Sequence, residues 1–332
     1  MTPRRLVLLL GLAGLLPSAA RAAELTPIAF SLDFRALGRH AAWYVAQEKG
    51  YYRDAGLNVT IQASGGTAQA LQSLESNLVQ FAFSDVAGLA TARQSGASTG
   101  TIVSVIYQKA PYAIFSLASG ANVTRAEQLE GLTVGSGAGS FTQQVVKAFM
   151  LQKGLDPSKI NYTNVDPAAR IALVVSGKLP ASESFAMSMP GLVAAVGADQ
   201  ARMFLLADHG LELYSNSIVV RSAYAAEHPE VVRGFVKASL RGWQDMIAHP
   251  DEAAAIVSRA VKGLDPVIAR QEIDVVSRLV QSDATRVAGL GSFDAATMHA
   301  SAVVVLGAEA AAKLPPTVLS DASFLPSPPI KP

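Results

Sequence analysis

From Leu25 onward, short apolar runs rich in β-branched residues alternate with longer runs of helical period. LTPIAFSL (25–32), LNVTIQA (57–63), VQFAFSD (79–85) and TIVSVIYQ (101–108) read as buried strands. Between them HAAWYVAQEKG (40–50), AQALQSLESN (68–77) and Val86–Gln94 read as helices, the first stopped by Gly50. This β-α-β-α-β order predicts an open, largely parallel sheet flanked by helices.

A second series of the same kind follows PYAIFSLAS. It runs through EQLEGLTVGSGAGS, FTQQVVKAFMLQKGL, INYTNV, AARIALVVSGKL, ASESF, MPGLVAAVGA and ARMFLLAD. A strand, LYSNSIVVRSAY, then leads to a helical tail that opens on Pro229, with Val232, Phe235, Val236, Trp243 and Ile247 on one stripe. Further helices are expected around Asp265–Gln281 and Asp294–Ala312, before a proline-rich end. Two series imply two lobes, crossed at the apolar segments Ala113–Leu117 and Ile218–Val220. Lobe one would hold residues 23–117 and 221–332, lobe two residues 118–220. At 332 residues the chain is long enough for two cores. Open α/β sheets bind ligands beyond the carboxyl ends of their strands, so the expected site is a cleft between the lobes.

The first 22 residues have another character. Arg4 and Arg5 precede an apolar Leu6–Leu16, and Ala20-Arg21-Ala22 is a small-x-small cleavage site, the build of a signal peptide. Eleven apolar residues fall short of the roughly 20 needed to span a bilayer. Its removal takes three arginines from a net charge of +1, leaving about −2 on the mature chain. Such a balance gives no field for nucleic acid. With no cysteine anywhere, lipid anchoring at a lipobox, disulfides, Cys-zinc sites and thiol nucleophiles are all excluded. The expected compartment is a bacterial periplasm.

Catalytic chemistry finds little support. The five histidines are scattered, without H-E-x-x-H or an i, i+4 pair, so no metal site is expected. Ser136 lies between Gly135 and Gly137, but Val134 and Ala138 outside them break the nucleophile-elbow pattern. The run Gly135–Ser140 follows a strand and precedes a helix, so its backbone N–H groups suit an anion or a small ligand. As a dinucleotide fingerprint it has its third glycine one position early, and Asp156 sits in a turn rather than at a strand end. SGGT (64–67) is a second such turn, with Thr67 placed to cap its helix. Ser84-Asp85 ends a strand ahead of a helix that Asp85 can cap. Phe34, Arg35, Arg39 and His40 crowd one loop at a strand's carboxyl end, the place for a ligand wall.

The ordered set of segments resembles a known group. DFxxxxxHAAWYVAQEKGYYRDAGLNVTI, VQFAFSDVAGLATARQSGA, LEGLTVGSGAGSFTQQVVKAFMLQKGLDPSKINYTNVDPAA and LYSNSIVVRSAYAAEHPEVVRGFVKASLRGWQDMIAHPDEAA are similar to successive blocks of one type of periplasmic solute-binding protein. That type binds thiamine pyrimidine precursors and is related to alkanesulfonate, taurine and nitrate binders. The resemblance implies a two-lobed type II periplasmic binding protein, each lobe an open mixed sheet flanked by helices. It would deliver a small solute to an ABC permease and its ATPase, as a monomer, without cofactor or catalysis. Carried over by position, the ligand residues would be Asp33, Phe34 and His40, with Thr67 and Ser84 from the next strand ends. Ser136, Ser140, Glu183 and Phe185 would come from the second lobe, and Asn216 from the hinge. Where pyrimidine binders carry Trp-Thr-Pro-Asn after the aspartate, this chain has Phe34-Arg35-Ala36-Leu37. The added Arg35 and Arg39 favour an anionic aromatic or sulfonate ligand, and Arg39 joins the expected site. The rival readings are a ligand-presenting sensor for a membrane receptor and a pyrimidine-synthesising enzyme of the same fold.

Overall fold

A computed structural model describes residues 24–137 and 140–332. The expected signal peptide, with Ala138 and Gly139 of the glycine-rich run, lies outside the described residues.

The first series folds as expected. β1 (Thr26–Ser31), β2 (Leu57–Gln62) and β3 (Phe81–Asp85) are parallel, and β4 (Gly100–Val105) completes the series. β5 (Tyr112–Leu117), β6 (Thr133–Ser136), β7 (Asn161–Asn164), β8 (Ala181–Phe185) and β9 (Ala201–Leu205) follow, and β10 (Asn216–Arg221) is last. Two five-stranded sheets result, ordered β2-β1-β3-β10-β4 and β7-β6-β8-β5-β9.

That order corrects the expected lobe boundaries. β5, assigned above to lobe one, pairs antiparallel with β8 and β9 in the second sheet. β10, assigned to lobe two, pairs antiparallel with β3 and β4 in the first. Both strands are buried on both faces, so their apolar runs look the same whichever sheet receives them. The true crossings are the irregular runs 106–111 and 206–215. They are bonded to each other: the Ile106 and Tyr107 amides donate to the Asn216 carbonyl at 2.9 Å, and the Ser215 amide to the Tyr107 carbonyl at 3.1 Å.

The tail belongs mainly to the first lobe. Helix Pro229–Ala248 buries Val232, Phe235, Val236 and Trp243 against the first sheet, with Ile247 half-buried at the end of the stripe. Phe235 stacks on Phe81 at 4.0 Å, and Trp243 meets Trp43 edge-on at 5.5 Å. Gly242 allows the close approach to helix Ala41–Glu48, since a Cβ there would lie 2.2 Å from the Ala42 carbonyl oxygen. The expected helix over 294–312 is two, Ala295–Leu306 and Ala308–Ala312, parted at Gly307 with φ +76°. Helix Ala295–Leu306 packs on Val86–Gln94 of one lobe and on Phe141–Gln152 of the other. Helix Pro266–Val280 likewise touches Met189–Val196 of the second lobe. No described helix is long and apolar enough to cross a membrane.

Candidate functional site

One cavity of about 230 Å³ lies between the lobes, near the lower end of small-molecule sites, roughly 300–1,000 Å³. Its wall is assembled from strand ends. The first lobe supplies Asp33 to Arg39 after β1, Gly65 to Thr67 after β2, and Asn216 at the start of β10. Because β10 runs antiparallel, its start lies at the carboxyl edge of its neighbours. The second lobe supplies Ser140 and Thr142 after β6, Pro167 to Ile171 after β7, and Ser184, Phe185 and Ser188 around the end of β8.

Asp33 is the centre of the first lobe's wall. Its Oδ2 accepts from Arg39 Nη1 at 2.8 Å and from Asn216 Nδ2 at 2.7 Å, while Oδ1 accepts from His40 Nε2 at 2.7 Å. Burial works against the charge, but Arg39 and the His40 hydrogen bond outweigh it, holding the carboxyl well below the usual carboxylate range. His40 is neutral, its pKa pushed down to about 4 by burial and by the Arg39 charge. Its Nδ1 accepts from the Leu37 amide at 3.0 Å, which leaves the proton on Nε2 for Asp33. The Arg39 amide donates to Glu272 Oε2 at 3.3 Å, tying this loop to helix Pro266–Val280.

The second lobe carries a buried pair of its own. Arg170 Nη2 lies 2.8 Å from Glu183 Oε1, which also accepts from the Gly137 amide at 3.3 Å. Thus the glycine-rich turn presents Gly137 to an internal carboxylate rather than to a ligand. Burial lowers the Arg170 pKa. Its Nε and Glu183 Oε2 are both buried without a hydrogen-bond partner among the described residues.

Asp85 holds the hinge. Its Oδ1 caps helix Val86–Gln94 by accepting from the Ala87 and Gly88 amides at 2.7 and 3.2 Å. Its Oδ2 accepts from Tyr112 Oη of β5 at 2.6 Å and from Ser215 Oγ of the second crossing at 2.7 Å. The second crossing and the first residue of β5, where the first crossing ends, are thereby fastened to one side chain, whose pKa burial pushes up.

Of the expected site residues, Asp33, Phe34, Arg39, Thr67, Ser140, Phe185 and Asn216 line the cavity, whereas His40, Ser84, Ser136 and Glu183 stand behind it, fully buried. His40 and Glu183 face partners rather than solvent. Ser136 Oγ accepts from Gln143 Nε2 at 2.8 Å. Ser84 lends its carbonyl to Ser217 Oγ at 2.9 Å. Thr67 does not cap its helix: Gly66 is the N-cap, at φ 143°. Ser140 both caps helix Phe141–Gln152 and lines the cavity. Asp156 caps the turn 157–159 and takes no part in the cavity. Arg170 went unnoticed because AARIALVV reads as an ordinary amphipathic helix. Its position one turn after the β7 strand end was the available signal. No group of three or more metal-ligating side chains occurs among the described residues.

The family model described as "NMT1/THI5 like" matches residues 38–253, well over half of the chain and every strand from β2 to β10. The chain belongs to that family. It is 29% identical over 290 residues to the riboflavin-binding protein RibY of Chloroflexus aurantiacus, covering 84% of this chain and 81% of that one. It is 25% identical over 227 residues to the formylaminopyrimidine-binding protein of Halalkalibacterium halodurans, with 68% of each chain covered. In structure it resembles the periplasmic nitrate-binding protein NrtA from Synechocystis PCC 6803, with a TM-score of 0.65 at 14% identity over 92% of this chain and 88% of that one. The family member described here therefore has the fold of the periplasmic binding proteins, two mixed sheets with a cleft between them.

Proposed function

We propose that this protein is the solute-binding component of an ABC importer, which closes its lobes on a ring-bearing polar solute and delivers it to the permease and its ATPase at the inner membrane. The observation that carries this reading is the composition of the cavity. Phe34 from one lobe and Phe185 from the other offer apolar ring faces, and polar groups from the strand ends of both lobes surround them. A solute touching both sets gains its full contacts only when the lobes are together, so binding favours the closed state. The curated relatives are named for a flavin and a pyrimidine, both ring-bearing.

Among the described residues Asp33 is the only lining carboxylate, and three donors already occupy it, which suits recognition of a solute. The basic, apolar and small-x-small order of residues 1–22 supports export to the periplasm.

Thermal unfolding of refolded mature protein against riboflavin, formylaminopyrimidine, aryl carboxylates and sulfonates tests the reading. A ligand at about 100 times its Kd adds about 2.7 kcal/mol, a shift of a few degrees for a chain of this size. A well-folded protein that no ring-bearing solute shifts would overturn it.

A further inference from the structure

Among the described residues three arginines line the cavity, Arg35, Arg39 and Arg170, against one carboxylate residue, Asp33. Their charges are not equally available. Arg39 lies 2.8 Å from Asp33, with both side chains almost wholly buried, so these two charges cancel. Arg170 is paired with Glu183, which is fully buried behind the wall. Arg35 has no carboxylate within ion-pair distance among the described residues. Glu272 feels its field but is bonded to the Arg39 amide instead. The Arg35 guanidinium is exposed and lies 5.8 Å from the Phe34 ring centroid, beside the apolar face offered to a ring.

The opposite wall carries Arg170, which spends one nitrogen on Glu183 and keeps about 16% of its side chain exposed where it lines the cavity. A carboxylate, sulfonate or phosphate oxygen is the strongest acceptor for a guanidinium.

We propose that the solute carries an acidic group, held by the Arg35 guanidinium from the first lobe and by the exposed part of the Arg170 guanidinium from the second. Arg39, which the sequence pointed to for this task, positions Asp33 instead. The anion subsite is complete only when both lobes contribute, so the charge on the solute itself drives closure. This assignment rests on the solute-binding reading above. It separates the protein from relatives named for riboflavin and formylaminopyrimidine, which are uncharged at neutral pH.

The test is titration calorimetry with matched pairs that differ in one charge: riboflavin and its 5′-phosphate, 2-naphthamide and 2-naphthoate, pyrimidine-5-carboxamide and the carboxylate. The wild-type protein is expected to bind the acid at least tenfold more tightly than its neutral partner in at least one pair. Arg35→Gln should lower that ratio about tenfold or more by weakening the acid much more than its neutral partner. Arg170→Lys keeps a cation for Glu183 but loses the planar guanidinium fork, and should weaken the acid without lowering Tm by more than a few degrees. Lys237→Gln, on the exposed side of helix Pro229–Ala248, should leave the ratio unchanged. Equal affinity for acid and neutral partners, or a ratio that Arg35→Gln does not move, overturns the anion subsite and leaves the solute-binding reading standing. If none of the six compounds binds to folded protein, the ring-binding reading fails, and the anion subsite with it.

Discussion

The Asn216 amide donates to Asp33 at 2.7 Å across 183 residues of sequence, so the strand that returns from the second lobe is bonded directly to the loop that walls the first. Hinge and binding wall therefore share a side chain. Whatever moves Asp33 moves both.

Asp33→Ala leaves Arg39 buried with no counter-charge and strips acceptors from His40 and Asn216. The expected loss of stability is about 3–5 kcal/mol, read by urea unfolding. Asp33→Ala with Arg39→Met should recover part of it, because the stranded charge is gone. A single variant within 1 kcal/mol of wild type would show that the pair is not a structural centre.

The acid limb of stability should carry the signature of His40. Folded, it titrates near 4, against 6.5 when unfolded. Between those values the unfolded chain holds a proton there that the folded chain lacks. Stability therefore falls as pH drops through this window, by about 1.4 kcal/mol per pH unit from this group. Asp33 adds its own loss at lower pH, because its folded value is depressed and its contribution fades as pH falls through that value. Urea midpoints at pH 7.0, 5.5 and 4.5 should converge less steeply in His40→Gln; identical slopes in the two proteins would refute the assignment.

The knot at Asp85 makes a graded prediction. Tyr112→Phe removes one bond to it and should destabilise by about 1–2 kcal/mol. Asp85→Ala loses a helix cap worth about 1 kcal/mol and removes an acceptor from the Ser215 and Tyr112 hydroxyls as well, so it should exceed Tyr112→Phe clearly. Amide hydrogen exchange at 106–112 and 213–217 should accelerate in both. Exchange unchanged at these crossings would remove Asp85 from the hinge.

Close approach of backbone at two glycines is testable by adding one methyl. A Cβ at Gly242 would meet the Ala42 carbonyl oxygen at 2.2 Å, and one at Gly38 would meet the Ala269 Cα at 2.4 Å. Each change to alanine should cost about 1–3 kcal/mol in thermal unfolding. Gly38→Ala should also weaken solute binding, because Gly38 abuts the loop residues Arg39 and His40. Gly234→Ala is the contrast: its nearest neighbour is at 3.4 Å, so helix propensity should make it neutral or slightly stabilising.

The strand and helix series was legible because burial on both faces leaves an unbroken apolar run, and amphipathic helices leave a stripe. Which sheet receives β5 and β10 was not, since partner choice depends on strands far away in sequence. The site followed the same division. Phe34, Asp33 and Thr67 stand just after parallel strands, where the position itself signals exposure to a cleft. Glu183 and His40 also occupy or adjoin such ends, but each turns inward to a partner, Arg170 and Asp33, that no local pattern announces. Arg170 is hidden in turn by its helix, and Arg39 carries a buried counter-charge that its sequence position does not announce.

The placement of β10 between β3 and β4 fixes an order of assembly. As the polypeptide lengthens, β1 to β4 emerge first, yet their sheet has a gap that only Asn216–Arg221 can fill. All five strands of the second sheet lie between Tyr112 and Leu205, so the lobe that comes later in sequence has every strand it needs first. Until then β3 and β4 present unpaired edges, the surfaces through which partly made chains associate with one another. A fragment that stops before residue 216 should be insoluble for that reason, whereas the segment from 111 to 213 carries a whole sheet and is the half with the means to stand alone.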